Sequence, residues 1–223
     1  MSKGHVVVTG AAGALGGAVC AHLAEAGWAV IAIDRSDHAL PECAVAGHRA
    51  DLTMEAEAAQ VFVAIAERAP RLAGLVNIAG GFAWETIADG SGETWDRLYR
   101  LNLKTALNAC QAALPFLADG ASIVNIGAAA AAKADRGMGA YAASKAGVAR
   151  LTEALAAELK PRRIRANAVL PSIIDTPANH AGMPDADVSK WVTPQELAAV
   201  IAFLLSPEAS GVSGASIPVV GRV

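Results

Sequence analysis

Val6-Val7-Val8-Thr9-Gly10-Ala11-Ala12-Gly13-Ala14-Leu15-Gly16 stands near the start of the chain. A β-branched run followed at once by glycines at 10, 13 and 16 reads as a strand, a tight turn and the first turn of a helix. Glycine lets the backbone approach a bound pyrophosphate, and the free N–H groups and dipole of the helix start attract its charge. A glycine-rich loop alone is weak; one placed between the first strand and the first helix is a strong signal for a dinucleotide.

Outward from this loop, short apolar runs alternate with segments of helical period, the pattern of βαβ units in a parallel sheet. A helix over 15–26 is stopped by Gly27, and the second strand, Val30-Ile31-Ala32-Ile33, ends at Asp34. A short strand at Arg49-Ala50, a helix over 53–68 and a strand at 75–78 repeat the unit. Then come a long helix over 95–117, a strand over 122–126, a second long helix over 140–159, and strands over 164–170 and 215–220. Between the last two strands Thr193-Pro194-Gln195-Glu196 opens a helix. The strands are continuously apolar, as needed when helices cover both faces. The expected fold is α/β, a Rossmann-like doubly wound parallel sheet of about seven strands in a single NAD(P)-binding domain over 1–223.

The 223 residues fit one such domain. Apolar residues make up 54% and mean hydropathy is +0.38, yet no apolar run reaches the roughly 18 residues that span a bilayer. No signal peptide is recognisable, so a soluble, cytoplasmic protein is expected. Eighteen basic against 21 acidic residues, a net charge of -3, write no basic face for nucleic acid. Cys20, Cys43 and Cys110 are odd in number, lack C-x-x-C spacing and sit beside apolar neighbours, so they read as small buried thiols. The five histidines form no ligand pair, and no metal site is expected.

Asp34 stands eighteen positions after Gly16, where a carboxylate can accept hydrogen bonds from the adenine ribose. A 2'-phosphate there would meet like charge, so NAD(H) is favoured over NADP(H). Arg35 offers a cation that leaves NADP(H) open. Asp51, ahead of Leu52-Thr53, is placed either to bond the adenine amino group or to cap the following helix.

Several motifs in fixed order make the chain resemble the short-chain dehydrogenase/reductase family. They are the glycine-rich loop, Asn77-Ile78-Ala79-Gly80, Asn102, Tyr141-Ala142-Ala143-Ser144-Lys145, and Asn167-Ala168-Val169-Leu170-Pro171 with Asp175-Thr176-Pro177. Tyr141 and Lys145 are four apart on one helix and share a face. A nearby ammonium favours the tyrosinate and would lower the Tyr141 pKa toward working pH. The resemblance implies that Tyr141 donates the proton to the reduced substrate, that Lys145 supports it and bonds the nicotinamide ribose, and that Asn102 holds a relay water behind Lys145. It implies cofactor contacts from Gly10, Ala12, Gly13, Ala14, Leu15, Gly16, Asp34, Arg35, Asp51, Leu52, Asn77, Ala79 and Gly80. Tyr141, Lys145, Pro171, Ile174 and Thr176 complete that set.

The family usually carries a Ser thirteen positions before the Tyr to polarise the substrate carbonyl; here that position is Ala128, and residues 126–137 hold no Ser or Thr. Losing a positioned donor costs orders of magnitude on an ordinary ketone. Three readings follow. In the first, the substrate is an easily reduced quinonoid ring, because the chain also resembles the dihydropteridine reductase subgroup. That likeness rests on Ala79-Gly80-Gly81 before an aromatic, the Ser-free stretch, and Met183-Pro184-Asp185-Ala186-Asp187 ahead of Trp191. Phe82 departs from it, standing where that subgroup has Trp. In the second, the protein is a carbonyl reductase or alcohol dehydrogenase whose missing donor comes from backbone, water or substrate. In the third, it is a non-catalytic NAD(H)-binding sensor or scaffold.

Loops at the carboxyl ends of the strands build the substrate wall, which places Phe82, Trp84, Ala128 and Trp191 there. The aromatics either stack on a flat ring or anchor the loops. Residues 178–190 read as a short polar lid. The two long helices carry surplus apolar surface, and the resemblance implies a homodimer, with a homotetramer as the larger alternative.

Overall fold

The computed structural model describes residues 3–36 and 38–223. Seven parallel strands form one sheet: β1 His5–Thr9, β2 Ala29–Asp34, β3 Ala46–Arg49, β4 Leu72–Asn77, β5 Leu117–Ile126, β6 Arg165–Pro171 and β7 Ser216–Val219. Their spatial order is β3-β2-β1-β4-β5-β6-β7. The chain winds outward both ways from the β1/β4 pair, where Thr9 lies opposite Asn77. That reversal opens a crevice at the carboxyl ends of the strands.

Alternate residues of each strand feed opposite cores. Val7, Ile31, Leu75 and Ile123 pack with Phe62 and Ile65 of α2 (Glu55–Ala66), Cys110 of α4 (Thr105–Ala113) and Leu155 of α5 (Gly139–Glu158). Val6, Val8, Val30 and Val124 pack on the other face with Leu15, Val19 and Leu23 of α1 (Ala14–Glu25) and Leu197, Ile201 and Leu204 of α7 (Pro194–Leu205). Each fully buried aliphatic side chain is worth about 1.5–3 kcal/mol. A capping box opens α7: Glu196 N donates to Thr193 Oγ1 at 3.2 Å and Thr193 N donates to Glu196 Oε2 at 2.9 Å.

Several boundaries differ from the sequence reading. β3 forms over Ala46–Arg49 rather than at 49–50, and β4 starts at Leu72. The helix expected over 95–117 is divided into α3 (Gly92–Leu98), a π-helical stretch (Tyr99–Lys104) and α4, which ends at Ala113. Pro115 cannot continue a helix, and Leu117 instead pairs with Leu72 to begin β5. The register then shifts around Asp119-Gly120 before Ser122 meets Gly74. The segment read as a loop after β6 contains α6 (Pro177–Gly182) and a 3-10 turn at Val188–Lys190. Cys20 and Cys110 are buried, but Cys43 is exposed, because the turn closed by Ala44 N on Pro41 O carries it clear of the core. Among the described residues no helix is long and apolar enough to cross a membrane.

Candidate active site

The glycine-rich turn is built from its contacts with β4. Gly10 has φ +67°, and a Cβ there would lie 2.7 Å from Ala79 N, so only glycine meets both demands. Thr9, fully buried, pins the same junction: its Oγ1 accepts from Ile78 N at 3.1 Å and Ala79 N at 3.3 Å. Thr9, quoted with the glycine-rich stretch but given no role from the sequence, is thus a site-building residue. α1 begins at Ala14 after Gly13, which gives no side-chain cap, so the N–H groups of its first turn lack partners within the helix, and residues 13–16 line the crevice.

The crevice is a cavity of about 920 Å³. Its wall takes in Gly10, Ala12, Gly13, Ala14, Leu15 and Gly16 of the turn, then Asp34 and Arg35 after β2 and Asp51 and Leu52 after β3. Ala79, Gly80 and Phe82 follow from beyond β4, Tyr141 and Lys145 from α5, and Pro171, Ile174 and Thr176 from beyond β6. Ser172, Thr53, His38 and Leu101 also line it and carry no motif that would have marked them.

Asp34 is held firmly at the end of β2. Its Oδ2 accepts from Ala12 N at 3.0 Å and its Oδ1 from Ser36 N at 2.8 Å. Burial pushes its pKa up, but the hydrogen bonds from Ser36 and Ala12 outweigh this and leave it below the ordinary carboxylate value. Asp51 Oδ1 accepts from Thr53 N at 2.9 Å, which makes its local turn role explicit while it still faces the cavity.

On α5, Tyr141 and Lys145 both line the cavity, as the i, i+4 spacing requires, but their electrostatics differ from expectation. Burial pushes the Tyr141 phenol up to about 12 and the Lys145 ammonium down to about 8. Desolvation penalises the charged form of each, so the lysine does not pull the tyrosine toward neutrality in this arrangement. Lys145 Nζ donates to Ile126 O at 2.7 Å. The Phe82 ring meets Tyr141 edge-on, with centroids 5.0 Å apart.

Five expected site residues lie off the cavity wall. Asn77 is buried in the sheet and donates to Asn125 Oδ1 at 2.8 Å and Cys110 Sγ at 3.2 Å, so it ties β4 to β5 and α4. Asn102, also buried, donates from Nδ2 to Gly81 O at 3.1 Å and Ser144 Oγ at 2.9 Å, and its Oδ1 accepts from Gly81 N at 2.8 Å. It clamps the loop after β4 to α5 from the π-helical stretch, a helix irregularity often found at functional sites. Ala128 is buried beyond Gly127 and carries no polar side chain to the wall. Trp84 packs against Gly137 rather than into the cavity, beside the bond from Glu85 N to Gly137 O. Trp191 is buried and meets His180 edge-on at 5.2 Å. Trp191 thus hides its large apolar area inside the fold, whereas Trp84 covers Gly137 and leaves 57% of its surface exposed. Among the described residues no three His, Cys, Asp or Glu side chains gather as metal ligands.

The residues present fit a dinucleotide. An uncapped helix start, a backbone cradle closed to any side chain at Gly10, and an ionised carboxylate lie along one wall with the half-buried Tyr141 and the buried Lys145. The sequence model of the family described as short chain dehydrogenase matches residues 4–186. A 3-oxoacyl-acyl-carrier-protein reductase of Thermotoga maritima is 32% identical, with 96% of this chain and 95% of that protein covered. A solved short-chain type dehydrogenase/reductase from Mycobacterium ulcerans superposes with a TM-score of 0.91 at 28% identity, covering 100% of this chain and 90% of that one. A blue fluorescent protein from a metagenomic library, solved in complex with NADPH, gives 0.89 at 27% identity over 99% of this chain and 98% of that one. The chain belongs to the short-chain dehydrogenase family of oxidoreductases.

Proposed function

We infer that the protein is an NAD(P)H-dependent reductase of a flat, polarised ring of the quinonoid dihydropterin type, with Tyr141 as the acid. The observation that carries this reading is the combination at the cavity mouth. A half-buried Tyr141 on the same wall as the buried Lys145 can deliver a proton, while Ala128 offers no hydroxyl to polarise an ordinary carbonyl. NAD(P)H, when bound, supplies the hydride. Tyr141, kept protonated by burial, holds the proton for the substrate. Lys145, which keeps its ammonium below about pH 8, would hold the nicotinamide ribose at the same wall. Phe82, half exposed against Tyr141, gives an aromatic face for a ring.

The anionic, hydrogen-bonded Asp34 supports NAD(H), since a 2'-phosphate would face like charge. Arg35 beside it and the NADPH-bound neighbour keep NADP(H) as the competitor to be titrated. The reading carries with it one catalytic domain and a cytoplasmic homodimer, in which Trp95 and Tyr99, exposed on α3 and the π-helical stretch, supply apolar contact area. Light scattering tests the dimer.

A second reading is reduction of a ketone or oxidation of an alcohol, supported by the 3-oxoacyl reductase similarity. The deciding experiment is NADH oxidation with quinonoid dihydropterin beside a panel of ketones. Turnover of the pterin alone upholds the first reading, and turnover of ketones alone replaces it with the second. NADH binding without turnover of either marks a sensor or scaffold.

A further inference from the structure

The loop from Ser172 to Val192 carries Ile174 and Thr176 to the cavity wall, and its two legs are stitched together. Val192 N donates to Ile173 O at 3.1 Å, Asp175 N donates to Val192 O at 2.8 Å, and Ile174 bridges to Val192. Val220, Gly221 and Arg222, following β7, touch both legs. On the outgoing leg, Ser172 Oγ donates to Val220 O at 2.7 Å from a residue that itself lines the cavity. On the returning leg, Arg222 N donates to Lys190 O at 2.8 Å. Between these two bonds Gly221 takes φ +68°, and a Cβ there would lie 2.7 Å from Lys190 O, 2.8 Å from Val192 N and 3.0 Å from the Trp191 carbonyl carbon.

All three contacts of that missing Cβ are to backbone, which cannot swing aside as a flexible side chain can. Left-handed φ and sub-van-der-Waals approach together restrict the position to glycine. The Arg222–Glu196 ion pair at 2.8 Å is exposed and adds little. The grip on the loop therefore rests on the backbone at Gly221 and on the Ser172 hydroxyl.

We propose that Gly221 and Ser172 are positioning residues, which hold the two legs of the 172–192 loop against the segment 220–222 and so set where Ile174 and Thr176 meet the bound cofactor. The binding readout rests on reading the cavity as a dinucleotide site, whereas the exchange readout does not. Neither residue needs to touch reacting atoms to act. Loosening the clasp lets the loop sample open positions, and apparent affinity falls by the fraction of time spent away from the binding geometry.

The test compares the full chain with Gly221→Ala, Ser172→Ala and Ser172→Thr by amide hydrogen exchange, NADH fluorescence titration and melting temperature. Exchange is expected to rise over 173–192 in the two alanine variants while residues 10–16 are unchanged. NADH affinity should weaken about tenfold for Gly221→Ala and about threefold for Ser172→Ala, and Ser172→Thr should restore it. In steady state KM should rise with kcat within about twofold. Unchanged exchange over 173–192 and unchanged NADH affinity in folded variants overturn the proposal. So does a rise in exchange spread evenly over the sheet, which marks general destabilisation. If Gly221→Ala does not fold, the Ser172 pair decides by the same criteria. Failure of the unsubstituted protein to bind NADH would refute the dinucleotide reading, and the exchange pattern would still decide the clasp.

Discussion

The Asn102 amide donates to Ser144 Oγ at 2.9 Å, and Ser144 Oγ donates in turn to the Tyr141 carbonyl at 2.7 Å. Asn102 also holds both backbone polar groups of Gly81, the residue before Phe82. The buried asparagine thus connects the backbone of Tyr141 to the loop whose phenylalanine packs on the Tyr141 ring. A Cβ on Gly80 would lie 2.6 Å from Asn102 Oδ1 and 3.5 Å from Lys145 Nζ, so loop, clamp and lysine are packed as one unit.

Asn102→Leu leaves Gly81 N, Gly81 O and Ser144 Oγ without this partner. Each stranded buried polar group costs about 1–3 kcal/mol. Ser144 Oγ keeps its bond to Tyr141 O and Gly81 is half-buried, so the two Gly81 groups at about 1 kcal/mol each should lower the melting temperature by roughly 4–8 °C, at about 2–4 °C per kcal/mol for a chain of this size. Differential scanning calorimetry measures it, and a fall of less than about 2 °C, the equivalent of 1 kcal/mol or less, would show that the clamp carries no stability.

The pH profile follows from the two burial-shifted groups. Burial keeps Tyr141 protonated up to about 12, while Lys145 loses its proton near 8. Reductive kcat/KM should be level below about pH 8 and decline above it as the lysine charge is lost, and the oxidative direction should rise with pH because it needs the phenolate. Tyr141→Phe should lower turnover by about 10²–10⁴-fold with NADH affinity nearly unchanged. Stability has its own signature. Between about pH 8 and 10.5 the unfolded chain keeps the Lys145 proton and the folded chain has released it, so stability rises with pH in that window. Between about 10 and 12 the folded chain alone keeps the Tyr141 proton, and that contribution declines as pH rises. Thermal melts from about pH 7 to 10 should show the first slope, and Lys145→Met should remove it.

Asp34→Asn removes the charge that would face a 2'-phosphate but keeps an oxygen for Ala12 N or Ser36 N. The NADPH-to-NADH affinity ratio should rise at least tenfold, equivalent to about 1.4 kcal/mol. Fluorescence titration with both cofactors reads this directly. A ratio that stays put would remove Asp34 from cofactor choice.

Ala128→Ser adds the hydroxyl that the family usually carries at the end of β5. If the natural substrate needs no such donor, turnover of quinonoid dihydropterin should change by less than about threefold, while ketone reduction gains on the order of 10–100-fold from the new donor. Parallel assays on the two substrate classes check it, and a ketone rate that does not move would show that the added oxygen does not reach the substrate.

Local spacing alone makes much of this protein legible. The run from Val6 to Gly16 places a strand, a glycine-rich turn and a helix within covalent reach of one another, and Asp34 follows at the end of the next strand. Tyr141 and Lys145 share a helix face because four residues make about one turn. These relations are set by backbone geometry over a few residues, so tertiary context has little to add to them.

Other features depend on partners far along the chain. The helix expected to run to Leu117 yields at Pro115, and Leu117 becomes a strand residue because Leu72, distant in sequence, offers it a ladder position. Trp84 and Trp191 lie off the cavity wall, the first over Gly137 and the second buried against His180. Asn77 spends its amide on Asn125 and Cys110 inside the sheet. The direction of the Tyr141 shift belongs to the same group, because desolvation depends on everything packed around a side chain and not on the residue four places away. Composition and spacing dictate which elements form and in what order, through backbone geometry. Which face of a side chain meets the cavity, and at what pKa, is settled by competition for buried volume among segments that only the folded chain brings together.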